Sequence, residues 1–228
     1  MAFAGFDCSG FPGESVMRTL RNTTNFKFCG YYLAPAPSHP DQSWMGKRSF
    51  LVDLGYGIAP FYVGEQVDGP GSHHPSSAKG SADGRDAARL MESQGFPAGS
   101  CVYLDLENGQ PLNRPGLPLD QYLNSWCAAL SDSGFQPGIY CSHALAEEIH
   151  TLQPTARMFP FNIPTTAPHP VDGPPYPEPD PSKSGFAQAL AFQHQQNALI
   201  SILGVAKQLT VDLDSAVTED PSAPAAVA

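Results

Sequence analysis

Short apolar runs alternate with helix-patterned segments along almost the whole chain, and this alternation limits the architecture more than any single motif. The runs read FAGFDCS, FKFCGYYLA, GIAPFYVGE, SCVYLDLE, QPGIYCS, RMFPFNIP, LAFQHQQN and QLTVDLDSA. Most carry aromatic or β-branched residues and are bounded by Gly, Pro, Ser or Asn, as buried strands are. Helical segments separate the first six of them. The clearest places Leu119, Tyr122, Leu123, Trp126 and Leu130 on one apolar stripe and stops at Gly134. Strands alternating with helices predict an α/β protein with a parallel sheet. Their number predicts a (β/α)8 TIM-like barrel with irregularity expected in the last strands, and an open doubly wound sheet is the alternative. A single barrel domain is expected over residues 1–218, with a disordered tail over residues 219–228. Two long loops interrupt the pattern, a Gly, Ser and His loop from Gly64 to about Ser77 and a proline-rich loop from Pro164 to about Ser184.

Charge narrows the partners. Twelve basic against twenty-two acidic residues leave a formal charge of −10, which repels nucleic acid and anionic lipid. Neither is expected as a partner. No run approaches the ~18 apolar residues of a membrane span, and the first residues show no cleavable leader pattern. The five cysteines (Cys8, Cys29, Cys101, Cys127 and Cys141) form no CxxC pair and are expected as buried free thiols.

The segment VYLDLE raises the functional question. Side chains alternate across a strand, so Val102, Leu104 and Leu106 face one way and Tyr103, Asp105 and Glu107 the other. In a barrel the second set faces the axis, with its last members at the C-terminal mouth where active sites of this fold lie. Asp7 ends the first strand, and Asp212 and Asp214 share one face of the last. First and eighth strands are neighbours in a closed barrel, so Asp7 and Asp212 are expected to converge with Asp105 and Glu107. Crowded carboxylates raise each other's pKa, which suits a proton donor beside a charged carboxylate. A calcium or magnesium site is a second use of such oxygens. His73 and His74 lack a third ligand nearby and read as a solvated loop, so no metal or cofactor is expected.

GFDCSG at the start, VYLDLE, GIYCS, FQH and VDLD, together with GSADGRDAARLMESQGFPAGSCVYLDLE, resemble the glycoside-hydrolase-like barrels of the family-25 lysozyme superfamily. The nearer resemblance is to a branch known as a glycoside-hydrolase-like domain of unknown function, and it runs from Gly5 to about Ala216. It implies a muramidase-type hydrolase of peptidoglycan glycan strands. Glu107 matches the general acid, Asp105 its partner, which is expected to stay charged, and Asp7 and Asp212 the acids of the first and last strands. Tyr31, Tyr32, Tyr62 and Tyr140 are expected as a sugar platform, with Gln193 and His194 as polar neighbours. A non-catalytic glycan-binding module and a hydrolase of another polysaccharide are the alternatives. A wall hydrolase made in the cytoplasm without a leader is expected to reach the wall by non-classical delivery, through a secretion machine or phage-type lysis. An immunity or delivery protein would then be a partner.

Overall fold

The structure, a computed structural model, describes the chain except for residues 68–70, 108–111, 113–117, 205–207 and 225–228. The elements run β1 (Phe3–Asp7), α1 (Glu14–Thr23), β2 (Phe28–Tyr32), α2 (Arg48–Asp53), β3 (Gly57–Val63), α3 (Ser77–Ser93), β4 (Cys101–Leu106), α4 (Leu119–Asp132), β5 (Gln136–Ser142) and α5 (His143–Leu152). They continue with β6 (Arg157–Phe161), a short β7 (His169–Pro170), a 3-10 turn (Pro181–Ser184), β8 (Ala191–Ile200) and β9 (Leu209–Ala216).

Strands β1 to β6 pair in order and in parallel. β6 pairs with β8, β8 with β9 and β9 with β1, which closes the ring as a TIM-like α/β barrel. The expected parallel sheet needs one correction: β9 runs antiparallel to both neighbours. The cause is local. Among the described residues no helix stands between β8 and β9, and the short connection reverses the chain's direction. The irregularity expected in the last strands lies there, with register shifts in β8 between Gln193 and Ala198.

Two apolar layers follow from the alternation. Outward residues such as Val102, Leu104 and Leu106 pack beneath the helices. Inward residues Phe28, Phe61, Tyr103, Tyr140 and Phe159 fill the barrel with aromatic rings in edge and tilted contacts. The α4 stripe is buried as expected. The preceding helix starts earlier than its periodicity suggests, at an N-cap where the Ser76 hydroxyl accepts from the Lys79 N–H. Gly80 and Gly84 weaken the local helical signal. In the fold they let α3 approach α4 closely, since a Cβ at either would overlap the main chain at Tyr122 or Trp126. All five cysteines are free, four of them buried.

The expected disordered tail is also corrected. Residues 219–224 form the floor of the barrel, while 225–228 lie outside the described residues. Tyr103 from inside the barrel donates to the Pro221 carbonyl at 3.0 Å, and Arg157 donates to the carbonyls of Pro221 and Ala223 at 3.1 and 2.7 Å. Cys101 N–H donates to the Ser222 carbonyl at 2.8 Å, and Asp220 Oδ1 accepts from Ile58 N–H at 3.1 Å. A polar, Pro-containing segment carries no periodic signal, yet the open strand starts offer it donors that must be satisfied. Truncation after Thr218 strands these groups, including a charged guanidinium. It should cost about 3 kcal/mol or more, read as a lower midpoint of denaturant unfolding. An unchanged midpoint would show that the tail is not part of the fold.

Candidate active site

The C-terminal ends of the parallel strands form one rim, and the reversed β9 brings its early residues to it. Asp7 ends β1, Tyr32 ends β2, and Asp105 and Glu107 lie at and just past the end of β4. The β1–β9 register pairs Asp7 with Asp212 and Gly5 with Asp214. Asp212 therefore stands at the rim and Asp214 one layer below. Gly30 on β2 makes room for this grouping, because a Cβ there would overlap Asp7. Asp7, Glu107, Asp212, Tyr32, Cys8 and Asn197 line a common cleft of ≈ 260 Å³. A larger cleft over the proline-rich loop near His169 and Gln195 holds no such cluster.

The carboxylates are held differently. Asp212 is the best supplied with donors. Gln193 Nε2 donates to its Oδ2 and the Asn197 main-chain N–H to its Oδ1, both at 2.7 Å. Burial raises its pKa and these bonds oppose the rise, leaving it at about 6. The Asp7 Oδ1 accepts from the Tyr32 hydroxyl at 2.6 Å. Burial, and then the Asp212 charge, nevertheless push Asp7 well above the usual carboxylate range. Asp105 is 5 % exposed and its Oδ1 has no partner among the described residues. Burial, followed by the Glu107 charge, raises it strongly, which corrects the expectation that Asp105 stays charged. Glu107 reaches solvent at the rim, but the protein packed around it raises its pKa as well.

Asp214 is 1 % exposed, and neither of its oxygens meets a donor group among the described residues. Its carboxyl faces Asp7, and two carboxyl groups bond only when one is protonated. Burial, and then the Asp7 charge, push the Asp214 carboxyl well above the usual carboxylate range, which favours its neutral form.

Six side chains were expected to contact sugar, and the structure separates them. Tyr32 is at the cleft. Tyr140 lies inside the barrel and donates to Gln193 Oε1, which links both to Asp212. Tyr31, Tyr62 and His194 are not at the mouth. The Tyr31 hydroxyl donates to Gln94 Oε1 at 2.7 Å and its ring packs against Trp44 and Phe96. Tyr62 faces the helices, with its ring near Trp126 and its hydroxyl on Asp86 Oδ2 at 3.3 Å. His194 lies beside Phe192, and burial pushes its pKa down to about 4. The reason is the strand period: Tyr31 precedes Tyr32 and His194 follows Gln193, so neighbours take opposite faces. His73 is held in its loop through Nδ1 on the Gln66 carbonyl, and His74 N–H donates to Glu65 Oε2. Among the described residues no group of three or more His, Cys, Asp or Glu side chains is arranged to hold a metal ion.

Sequence reading missed Gln66 and Asn197. The buried Gln66 amide donates to the Asp105 carbonyl at 2.8 Å and accepts from the Glu107 N–H at 3.2 Å, extending the β4 ladder by a side chain and fixing where Glu107 stands. Both residues work through main-chain groups, for which spacing gives no signal. Only the tolerance of Asn for left-handed backbone hints at Asn197.

A barrel of this topology with clustered acids at the strand ends defines a glycoside-hydrolase-like domain. The chain belongs to the family of Rv2525c-like, glycoside hydrolase-like domains, whose profile matches residues 18–196. Among solved structures it is similar to the Tat-secreted protein Rv2525c of Mycobacterium tuberculosis, with 14% identity, a TM-score of 0.64 and 95% of each chain covered. It is also similar to the bacterial lysozyme of Streptomyces coelicolor, with 14% identity, a TM-score of 0.60, and 95% of this chain and 92% of that one covered. The spore cortex lytic enzyme SleM of Clostridium perfringens gives 13% identity, a TM-score of 0.64, and 94% and 67% coverage. At such identities these are likenesses of fold. No match is found among curated proteins.

The buried acids make stability depend on pH. Asp7, Asp105, Asp212 and Asp214 have folded pKa values raised above the ordinary 3.8. Their contribution is fully present below that value and is lost as pH rises through the folded values. Melting temperature should therefore fall from about pH 4 towards neutrality. Asp214→Asn removes one ionisable member while keeping a donor for Asp7. At neutral pH it should gain about 1–2 kcal/mol, on the order of 2–8 °C in Tm, and flatten the slope. A lower Tm with an unchanged slope would contradict the buried neutral acid.

Proposed function

We propose that the protein is a glycosidase that cuts glycan strands of the peptidoglycan type, with Glu107 as proton donor and Asp212 as the carboxylate that stays charged. The observation that carries this reading is that both groups line a single cleft in unlike surroundings. Asp212 receives two donors, which favour its ionised form. Glu107 has its pKa raised by surrounding protein, and no cation among the described residues acts on it, which favours its proton-bearing form. In the reaction Glu107 gives its proton to the glycosidic oxygen as the bond to the sugar carbon breaks. The Asp212 charge steadies the positive character at that carbon. Water then adds there, and its released proton returns to a carboxylate of the cleft. Asp7 and Tyr32, which line the cleft, act as hydrogen-bonding groups to the sugar, with the buried Asp105, Tyr140 and Gln193 behind them.

The family and the wall-lytic neighbours in fold support a glycan substrate. The choice of peptidoglycan rests on the lysozyme and spore cortex lytic enzyme among those neighbours. A wall substrate implies action outside the cytoplasm, in keeping with the Tat-secreted relative. No helix among the described residues is long and apolar enough to cross a membrane.

Glu107→Gln keeps shape and hydrogen bonding but has no proton to give. It should fold as the wild type does and lose cleavage by about 10²–10⁴-fold. Asp212→Asn should lose about 10²–10³-fold by removing the charged partner. Muropeptide release from purified sacculi measures both, with thermal melts as the folding control. Wild-type rates in Glu107→Gln would remove this mechanism. Release by no form of the protein, with glycan binding retained, would make it a binding module.

A further inference from the structure

Asn197 has a left-handed backbone conformation. Its φ is 57°, the only positive value among the described residues other than glycine. It sits where β8 leaves regular register, between the shift after Gln195 and the resumed pairing of Ala198 with Val211. A left-handed residue there turns one main-chain N–H out of the ladder and into the cleft, where it meets Asp212 Oδ1 at 2.7 Å. The side chain points the other way and its Nδ2 donates to the Thr166 carbonyl in the proline-rich loop at 2.8 Å. One residue thus joins the loop to the acid. For an L-residue other than Asn or Asp this conformation is costly.

We propose that Asn197 is a positioning residue: its left-handed backbone aims the main-chain N–H that holds Asp212 as the charged carboxylate of the cleft. The inference rests on the glycosidase reading for its meaning but not for its test. Among the described residues, the other groups facing Asp212 are Asp7 and Cys8 from the β1 end, Tyr32 from β2, Asp105 and Glu107 from β4, Tyr140 from β5 and Asp214 on its own strand. None supplies positive charge. Only Gln193 and Asn197 donate to Asp212 among the described residues, so loss of either leaves the carboxylate half supported.

The test is the titration of Asp212 itself, followed by carboxyl carbon NMR in protein labelled at aspartate and assigned with Asp212→Asn. No substrate is needed. Wild type should titrate near the value of about 6 that burial and the two donors set. Asn197→Gly adopts the left-handed conformation freely and keeps the N–H, so its midpoint should stay with wild type. Asn197→Ala and Asn197→Val are progressively driven out of that conformation. Their Asp212 midpoints should rise, by about one unit for Val, as the donor turns away. Rescue by Gly separates an aimed main-chain donor from a general packing role. Should the Val variant fail to fold, the Ala and Gly pair decides. Equal midpoints in all four proteins, or a rise in Gly as large as in Ala, would overturn the proposal. Such a result leaves the glycosidase reading standing, because muropeptide release tests that independently.

Discussion

The antiparallel pairing of β9 with β1 is the contact on which the rest of the site depends. It completes the ring, and it also decides which acid of VDLD reaches the rim. In a strand parallel to the others, the later acid would be uppermost. Reversal puts Asp212 beside Asp7 and buries Asp214 beneath them. The same reversal makes the hairpin with β8, whose irregular stretch supplies both donors of Asp212. One change of direction thus separates a supported carboxylate from a neutral one, although the two stand two residues apart.

Much of this was legible from the residues alone. The alternation of strands and helices gave the barrel, and the period of two along VYLDLE put Asp105 and Glu107 on the axis with Val102 and Leu104 outside. That period also held more than was drawn from it. Tyr31 and Tyr32 are adjacent, as are Gln193 and His194, so only one of each pair could face the mouth. Tyr62 has the parity of the outward residues, since Phe61 beside it faces inward. What the residues could not tell was direction and closure. A missing helix between the last strands is a cue for reversal, but the docking of residues 219–224 depends on donors left open at strand starts, which are a property of the assembled barrel.

The family match and the site meet only partly. The matched residues 18–196 include Asp105, Glu107 and Gln193 but not Asp7, Asp212 or Asp214, which belong to the first and last strands. Likeness in fold extends further, over about the whole chain. Family membership therefore speaks for the scaffold. The state of each carboxyl follows from local contacts: Tyr32 on Asp7, two amides on Asp212, and burial with the charges of Asp7 and Asp212 on Asp214. Gln66 shows the same economy on the opposite wall, where one amide side chain continues the ladder past the end of β4 and sets the height of Glu107.

The floor segment has a temporal meaning. β1 is made first, yet one of its two edges waits for β9, and the strand starts wait for residues 219–224. During synthesis the first six strands can pair in order as they emerge, but the result is an open, curling sheet with both edges bare. Asp7 stays far from any Asp212 until the last strand is out of the ribosome. A nascent or truncated chain therefore carries the acid on β1 and the pair on β4 without Asp212 beside them. The cleft is complete only once β9 has paired with β1.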